Sequence, residues 1–142
     1  MGYYADCYVL TNNRTKIFIK DFLGTFAPNR MQQAEFYEVP QYGNEICEEF
    51  TLADELIHYL ESNVTTPHSI CWENLEDNKI RLVNCFFTND NNLIVGLSCH
   101  ADDKTENELL VRLMKHCKSK VGYITYEQPP PLNSVKFIEN IG

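Results

Sequence analysis

Neighbouring histidine and cysteine residues are the side chains of this 142-residue chain best suited to metal chemistry. Cys99 is followed directly by His100, and His116 by Cys117. A structural zinc site needs ligands at regular spacing, yet neither C-x-x-C nor H-E-x-x-H occurs in the sequence. If Thr105 starts the last helix, His116 lies about 16 Å along it, whereas His100 precedes the helix. The two pairs are not expected to share an ion, and we predict no metal and no cofactor.

A cysteine nucleophile with a histidine base is the second chemistry that the residue types allow. His68 and Cys71 are three positions apart, which in a strand places them on opposite faces. His100 with Asp102 or Asp103, at a strand end before a helix, is the best polar cluster, and His100 and Asp103 would line a pocket between sheet and helix. The simpler explanation is that Asp102 and Asp103 stabilise a helix N-terminus. Motifs of hydrolases and nucleotide-binding proteins are absent from the sequence, so we favour a non-catalytic protein and assign no catalytic residue.

Negative charge is concentrated in the middle of the chain. The formal net charge is −8, from twenty acidic and twelve basic residues. No Lys or Arg occurs in residues 31–78, which we call the acidic segment, and eleven of the acidic residues lie there. The rest of the chain has twelve bases and nine acids, a net charge of +3. Direct nucleic-acid binding is disfavoured, because it requires a basic footprint.

The acidic segment has two interpretations: a solvated face that keeps the protein soluble, or a docking surface for a basic protein, since clustered like charge steers association. Aromatic residues in the segment favour docking, because aromatic anchors supply contact energy. We expect Phe36 and Phe50 to be core residues, and Tyr37 and Tyr42 to be partly exposed.

The leading hypothesis is a small acidic cytosolic protein, an inhibitor, immunity-type protein or adaptor, that binds a basic protein surface. Its candidate contact residues are Glu35, Tyr37, Glu38, Tyr42, Glu45, Glu48 and Glu49. One alternative is a small-molecule-binding protein or enzyme that uses His100 and Asp103. Another is a nucleic-acid mimic, with exposed carboxylates about 7 Å apart like successive phosphates.

Six cysteines raise the question of disulfide bonds. Each lies in or beside an apolar run, and no basic stretch followed by an apolar one opens the chain. We therefore predict reduced core thiols in a cytosolic protein. The sequence contains no run of about 18 apolar residues, so no membrane span is expected.

The elements that would position these residues predict an α+β fold. Two apolar runs joined by TNDNN form a central β-hairpin, about residues 80–99, and a turn at 90–91 would pair Phe86 with Val95. Both faces of this hairpin are apolar, so it should be covered on both sides. With a strand at 68–72 it makes an antiparallel meander, packed against two or three helices.

Further elements are predicted from shorter patterns. Strands are expected at 3–10, 36–39 and 121–126, and capping boxes at Thr51 and Thr105 are expected to start two of the helices. Residues 134–141 form either a strand or a helix. At this length we expect one domain, residues 1–142.

Overall fold

The computed structural model describes residues 3–141, which contain eight strands and four helices. The elements in chain order are β1 (Tyr4–Thr11), α1 (Lys16–Phe26), β2 (Arg30–Gln32), β3 (Tyr37–Val39), β4 (Glu48–Phe50), α2 (Ala53–Ser62), β5 (His68–Asn74), β6 (Leu82–Phe87), β7 (Leu93–His100), α3 (Asp103–Cys117), β8 (Gly122–Thr125) and α4 (Ser134–Glu139).

Six of the strands form one antiparallel sheet in the order β2-β5-β6-β7-β1-β8. Strands β3 and β4 pair only with each other. The predicted meander is confirmed as β5-β6-β7, and it lies in the middle of the sheet. The predicted α+β class is confirmed, with residues 134–141 contributing a helix. None of the helices described is both long and apolar enough to cross a lipid bilayer.

The sheet is covered unequally on its two faces. Alternate residues of β6 and β7, such as Val83, Phe87 and Leu97, are fully buried against α1, α2 and α3. The opposite face has a smaller apolar cluster, in which Phe137 of α4 packs near Ile94. The central hairpin is thus apolar on both sides because each side has a covering element.

The predicted register of this hairpin is wrong by one residue. Phe86 pairs with Ile94, not with Val95. Because side chains alternate between faces, the one-residue difference moves Val95 into the helix-covered core.

The loop chemistry explains the difference. The backbone N–H of Thr88 donates to the Asn92 carbonyl at 3.1 Å, and the Asn92 N–H donates to Thr88 Oγ1 at 2.8 Å. Residues 89–91 form the turn, and Asn91 has a left-handed φ of 65°. A three-residue turn that ends in a left-handed residue shifts the pairing relative to a two-residue turn.

Helix α3 starts earlier than the predicted capping box. Asp102 is the N-cap, and its carboxylate accepts hydrogen bonds from the Thr105 backbone N–H at 2.9 Å and the Thr105 hydroxyl at 2.7 Å. Thr105 therefore lies in the first turn, and the acidic side chains of Asp102 and Asp103 have the helix-start role considered above. Helix α2 follows Leu52 without a side-chain cap at that position, so the capping box at Thr51 is also wrong.

Arg14 is a buried cation that joins three parts of the fold. Its side chain is 4% exposed, and burial lowers its pKa to about 10. The guanidinium lies 5.1 Å from the Phe87 ring centroid. Its N–H groups donate five hydrogen bonds of 2.7–3.1 Å, all to backbone carbonyls, namely those of Leu60, Asn63, Thr66, Thr88 and Asn92. Arg14 thereby connects the start of α1 to the end of α2 and to the turn of the central hairpin.

Candidate functional site

The β3–β4 hairpin, which we call the acidic hairpin, contains most of the predicted contact residues. Tyr37 pairs with Phe50 and Glu38 with Glu49. Paired residues project from the same face of a hairpin, and neighbours along a strand project from opposite faces. Tyr37 and Val39 are buried against the core, so Glu38 and Glu49 share the outward face.

Two carboxylates that face each other across a hairpin repel, which destabilises the pair. No ammonium or guanidinium group within residues 3–141 approaches a carboxylate to within 4.0 Å. In that range His116 is the single histidine so placed, with its Nε2 3.2 Å from Asp21 Oδ2 and without hydrogen-bond geometry. Glu35, Glu45, Glu48 and Glu49 are exposed, and Glu38 is half-buried. The fold therefore presents this negative charge without neutralising it.

The aromatic residues of the segment depart from expectation. Tyr37, predicted to be partly exposed, is only 6% exposed, and Phe36, predicted to be core, is 49% exposed. Tyr42 is 87% exposed, as predicted. Phe50 is half-buried and packs on Tyr59 with ring centroids 5.5 Å apart. Tyr37 shares its face with Val39, and that face is the one turned to the core, so Tyr37 is not the exposed contact that we predicted.

A pocket of about 320 Å³ lies between the acidic hairpin and strand β5. Aromatic rings, one carboxylate and one thiol are among the side chains that line it, namely Phe36, Tyr37, Glu38, Tyr42 and Cys71. Burial raises the pKa of the Cys71 thiol to about 11, so at neutral pH it is protonated and is not an activated nucleophile. The pocket suits binding through aromatic and acidic groups better than covalent chemistry.

The loop after β3 is held against the edge of β5 by a side chain. The Gln41 amide group donates to the Ser69 carbonyl at 3.2 Å and accepts from the Ser69 N–H at 2.8 Å. The Gln41 side chain thus takes the place of a neighbouring strand at this position. The Cys47 N–H donates to the Val39 carbonyl at 2.8 Å and closes the loop between β3 and β4.

His68 is buried and connects the acidic hairpin to the sheet. Its two ring nitrogens lie 3.2 Å from the carbonyl oxygens of Glu38 and Ser69, and its ring meets that of Tyr37 edge to face at 6.3 Å. Burial lowers the pKa of His68 below its usual 6.5, so the ring is neutral at neutral pH. Alternating burial along β5 places His68 and Cys71 on opposite faces, as expected.

The Tyr37 hydroxyl is a buried polar group without a hydrogen-bond partner among the residues described. Burial raises the pKa of Tyr37 to about 12, so the hydroxyl is neutral and can donate or accept. Buried hydroxyl groups are normally paired, so this hydroxyl, which is itself out of contact with solvent, is an exception within the core.

The alternative site at His100 and Asp103 is not assembled as predicted. His100 is exposed on the sheet face away from α3, and its ring lies 5.1 Å from that of Tyr4 at a tilt of 45°. It lines a groove of about 560 Å³ together with Lys79 and Arg81. Asp103, in the first turn of α3, does not line that groove. The space between the sheet and α3 is occupied by buried core residues such as Leu97, Leu109 and Leu113.

All six cysteines are free thiols. Cys7, Cys85, Cys99 and Cys117 are buried, as predicted for core thiols, and Cys71 is half-buried. Cys47 is exposed in the acidic hairpin loop, so the expectation of a core position is wrong for this residue. In residues 3–141 no three His, Cys, Asp or Glu side chains are grouped to hold a metal ion.

The pocket residues that sequence reasoning missed are Phe36, Gln41 and His68. None has a local motif, because each acquires its role through a contact with a distant part of the chain. The absence of Lys and Arg from the acidic segment was the one signal that pointed to this region. No protein family model, curated protein or solved structure matches this chain.

Proposed function

We propose that this chain is a partner-binding protein of the inhibitor, immunity-type or adaptor class, and that it docks a basic protein surface through its acidic segment. The acidic hairpin is the centre of the docking surface. The observation that carries the proposal is the facing pair Glu38 and Glu49, which has no cationic partner in the part of the chain described.

Electrostatics supports a basic partner. A like-charge pair across a hairpin destabilises it by roughly 0.2–1 kcal/mol, and a cation brought by a partner would remove that repulsion. The surrounding exposed acids would steer a basic surface toward the hairpin and raise the association rate, with strong dependence on salt. Exposed Phe36, Tyr42 and Ile46 add the apolar contact area that charge alone does not supply.

The proposal includes a single domain and a cytosolic location, where six free thiols remain reduced. It includes neither direct nucleic-acid binding nor catalysis. A nucleic-acid mimic would use the same acidic surface and would differ only in binding a protein whose basic site normally holds DNA or RNA.

Two triple charge reversals test the proposal. In the first, Glu45, Glu48 and Glu49 are replaced by Lys. In the matched control, the exposed Asp103, Glu108 and Glu139 are replaced by Lys, which changes the net charge equally outside the acidic segment. Wild-type and variant proteins are used to capture proteins from a lysate of the source cells at low and at high salt, and thermal unfolding verifies that each variant folds.

We expect wild type and control to retain a basic protein at low salt and release it at high salt, and the hairpin variant to lose it. Equal retention by the two triple variants would rule out the acidic hairpin as the binding site. Failure of the wild type to retain any basic protein would leave the acidic segment as a solubilising face. Competition by DNA or RNA for the captured protein would identify the mimic form.

A further inference from the structure

We propose that the pocket between the acidic hairpin and β5 receives an arginine side chain of the partner. This inference rests on the proposed function, and it names the group that the partner inserts. The residues assigned to the contact are Phe36, Glu38 and Tyr42, which line the pocket together.

The charge around the pocket calls for a cation. Glu38 lines the pocket, and Glu49 is paired with it across the hairpin. No Lys or Arg occurs anywhere in residues 31–78. A positive group from outside the acidic segment would therefore meet an unneutralised carboxylate at a partly desolvated position, where charge attraction is stronger than in open water.

The lining favours a guanidinium over other cations. Exposed rings of Phe36 and Tyr42 offer faces on which a planar, weakly hydrated guanidinium can stack. The carboxylate of Glu38, a lining residue, can accept several of the five N–H donors of an arginine. A fully methylated ammonium has no N–H to donate to Glu38, and the ammonium of lysine lacks the planar shape.

The pocket is held open by contacts that do not involve its lining carboxylate. Gln41 is bonded twice to Ser69, and the His68 ring lies against the Glu38 carbonyl. These contacts fix the hairpin relative to β5 before any partner binds. A preorganised pocket needs little ordering on binding, which favours insertion of one side chain.

Two peptides test the arginine pocket separately from the acidic docking surface. One is a short Gly-Ser peptide that carries several arginines, and the other has lysine at the same positions. Affinity for the intact chain is measured by calorimetry at fixed ionic strength, and amide NMR shifts of Tyr37, Gln41 and Cys71 report occupancy of the pocket. We expect the arginine peptide to bind about tenfold more tightly and to shift those amides.

Matched variants test whether the preference for the arginine peptide over the lysine peptide originates in the pocket. Glu38→Gln and Tyr42→Leu alter the pocket, whereas Glu48→Gln, on the same hairpin but outside the pocket lining, and Tyr3→Leu, at another exposed tyrosine, are controls. We expect each pocket variant to reduce the preference for arginine to less than about twofold, and the controls to keep it.

Equal, salt-sensitive binding of both peptides by the wild type would overturn the arginine pocket while leaving the acidic docking surface in place. The same would follow if pocket and control variants lost the preference equally. A lack of binding to either peptide would contradict both proposals.

Discussion

Arg14 and the acidic hairpin are both sites of unusual charge, and they differ in where the opposing groups lie. Arg14 is buried, and backbone carbonyls of the same chain accept all five of its hydrogen bonds. Glu38 and Glu49 face each other, and no Lys or Arg nitrogen within residues 3–141 lies within 4.0 Å of either carboxylate. Folding supplies the hydrogen-bond acceptors of Arg14, so the role of this charge is structural. Folding places no cation beside Glu38 and Glu49, which is the arrangement expected of carboxylates that meet an external partner.

The largest effect on stability should come from removing the guanidinium of Arg14. Arg14→Met removes the guanidinium donor from five buried or half-buried carbonyl groups, of which those of Asn63 and Asn92 keep a backbone N–H donor, and we expect the free energy of unfolding to fall by at least about 3 kcal/mol. Urea unfolding measures the loss. Arg112→Met is the control, because Arg112 is exposed and only stacks on Phe26 at 5.3 Å. Comparable losses for the two variants would show that the carbonyl contacts of Arg14 contribute little to stability and that its charge is not held by folding in the way we infer.

A change of pH tests how the acidic hairpin is attached to the sheet. The pKa of His68 is lowered in the folded state, so below pH 6.5 the unfolded chain binds a proton that the folded chain does not. Stability should be constant with respect to this group above pH 6.5 and fall as the pH drops from there toward the lowered pKa. The slope is at most about 1.4 kcal/mol per pH unit. Unfolding by urea across this range is the measurement.

His68→Gln should remove that slope, and His58→Gln, at an exposed position of α2, should retain it. If both variants keep the wild-type slope of stability against pH, another group causes the pH dependence. The contacts of neutral His68 then do not hold the acidic hairpin to the sheet.

A charge reversal in the acidic hairpin should have the smallest effect on stability. Glu49→Lys places opposite charges across the hairpin and should stabilise the protein by about 0.2–1 kcal/mol. The same change should weaken binding to the basic partner or to the arginine peptide by about tenfold or more, because it puts a cation beside Glu38. Thermal unfolding and calorimetry on one preparation measure both quantities. Glu139→Lys, an exposed charge reversal on α4, should change neither by as much. A loss of stability on Glu49→Lys would contradict the repulsion that we infer.

Long apolar runs made the central meander predictable, because β5, β6 and β7 are each bounded by turn residues. The register of the hairpin was not predictable in the same way, since Asn91 allows turns of two or three residues and the pairing of Thr88 with Asn92 decides between them. The acidic hairpin was harder still. Strand β3 has three residues, too few for alternation to distinguish Tyr37 from Phe36 as the buried ring.

The charge of the candidate site was readable from the sequence, and its pocket was not. A segment without Lys or Arg is a property of composition, so Glu35, Glu38, Glu45, Glu48 and Glu49 could be proposed without a structure. The pocket depends on Gln41 reaching Ser69 and on His68 reaching the Glu38 carbonyl. These contacts join residues that are far apart in the sequence, and no local pattern specifies them.

The bond between the Gln41 amide and Ser69 has a consequence for self-association. An unpaired stretch at the edge of a sheet is a template on which another chain can add a strand, and repeated addition leads to aggregates. Strand β2 covers Trp72, Glu73 and Asn74 of β5, the Gln33 N–H bonds the Cys71 carbonyl, and Gln41 occupies both backbone groups of Ser69. The loop that forms one wall of the pocket therefore also protects the β5 edge from strand addition. A partner that moved this loop away would leave Ser69 unpaired at an edge where another chain could bind.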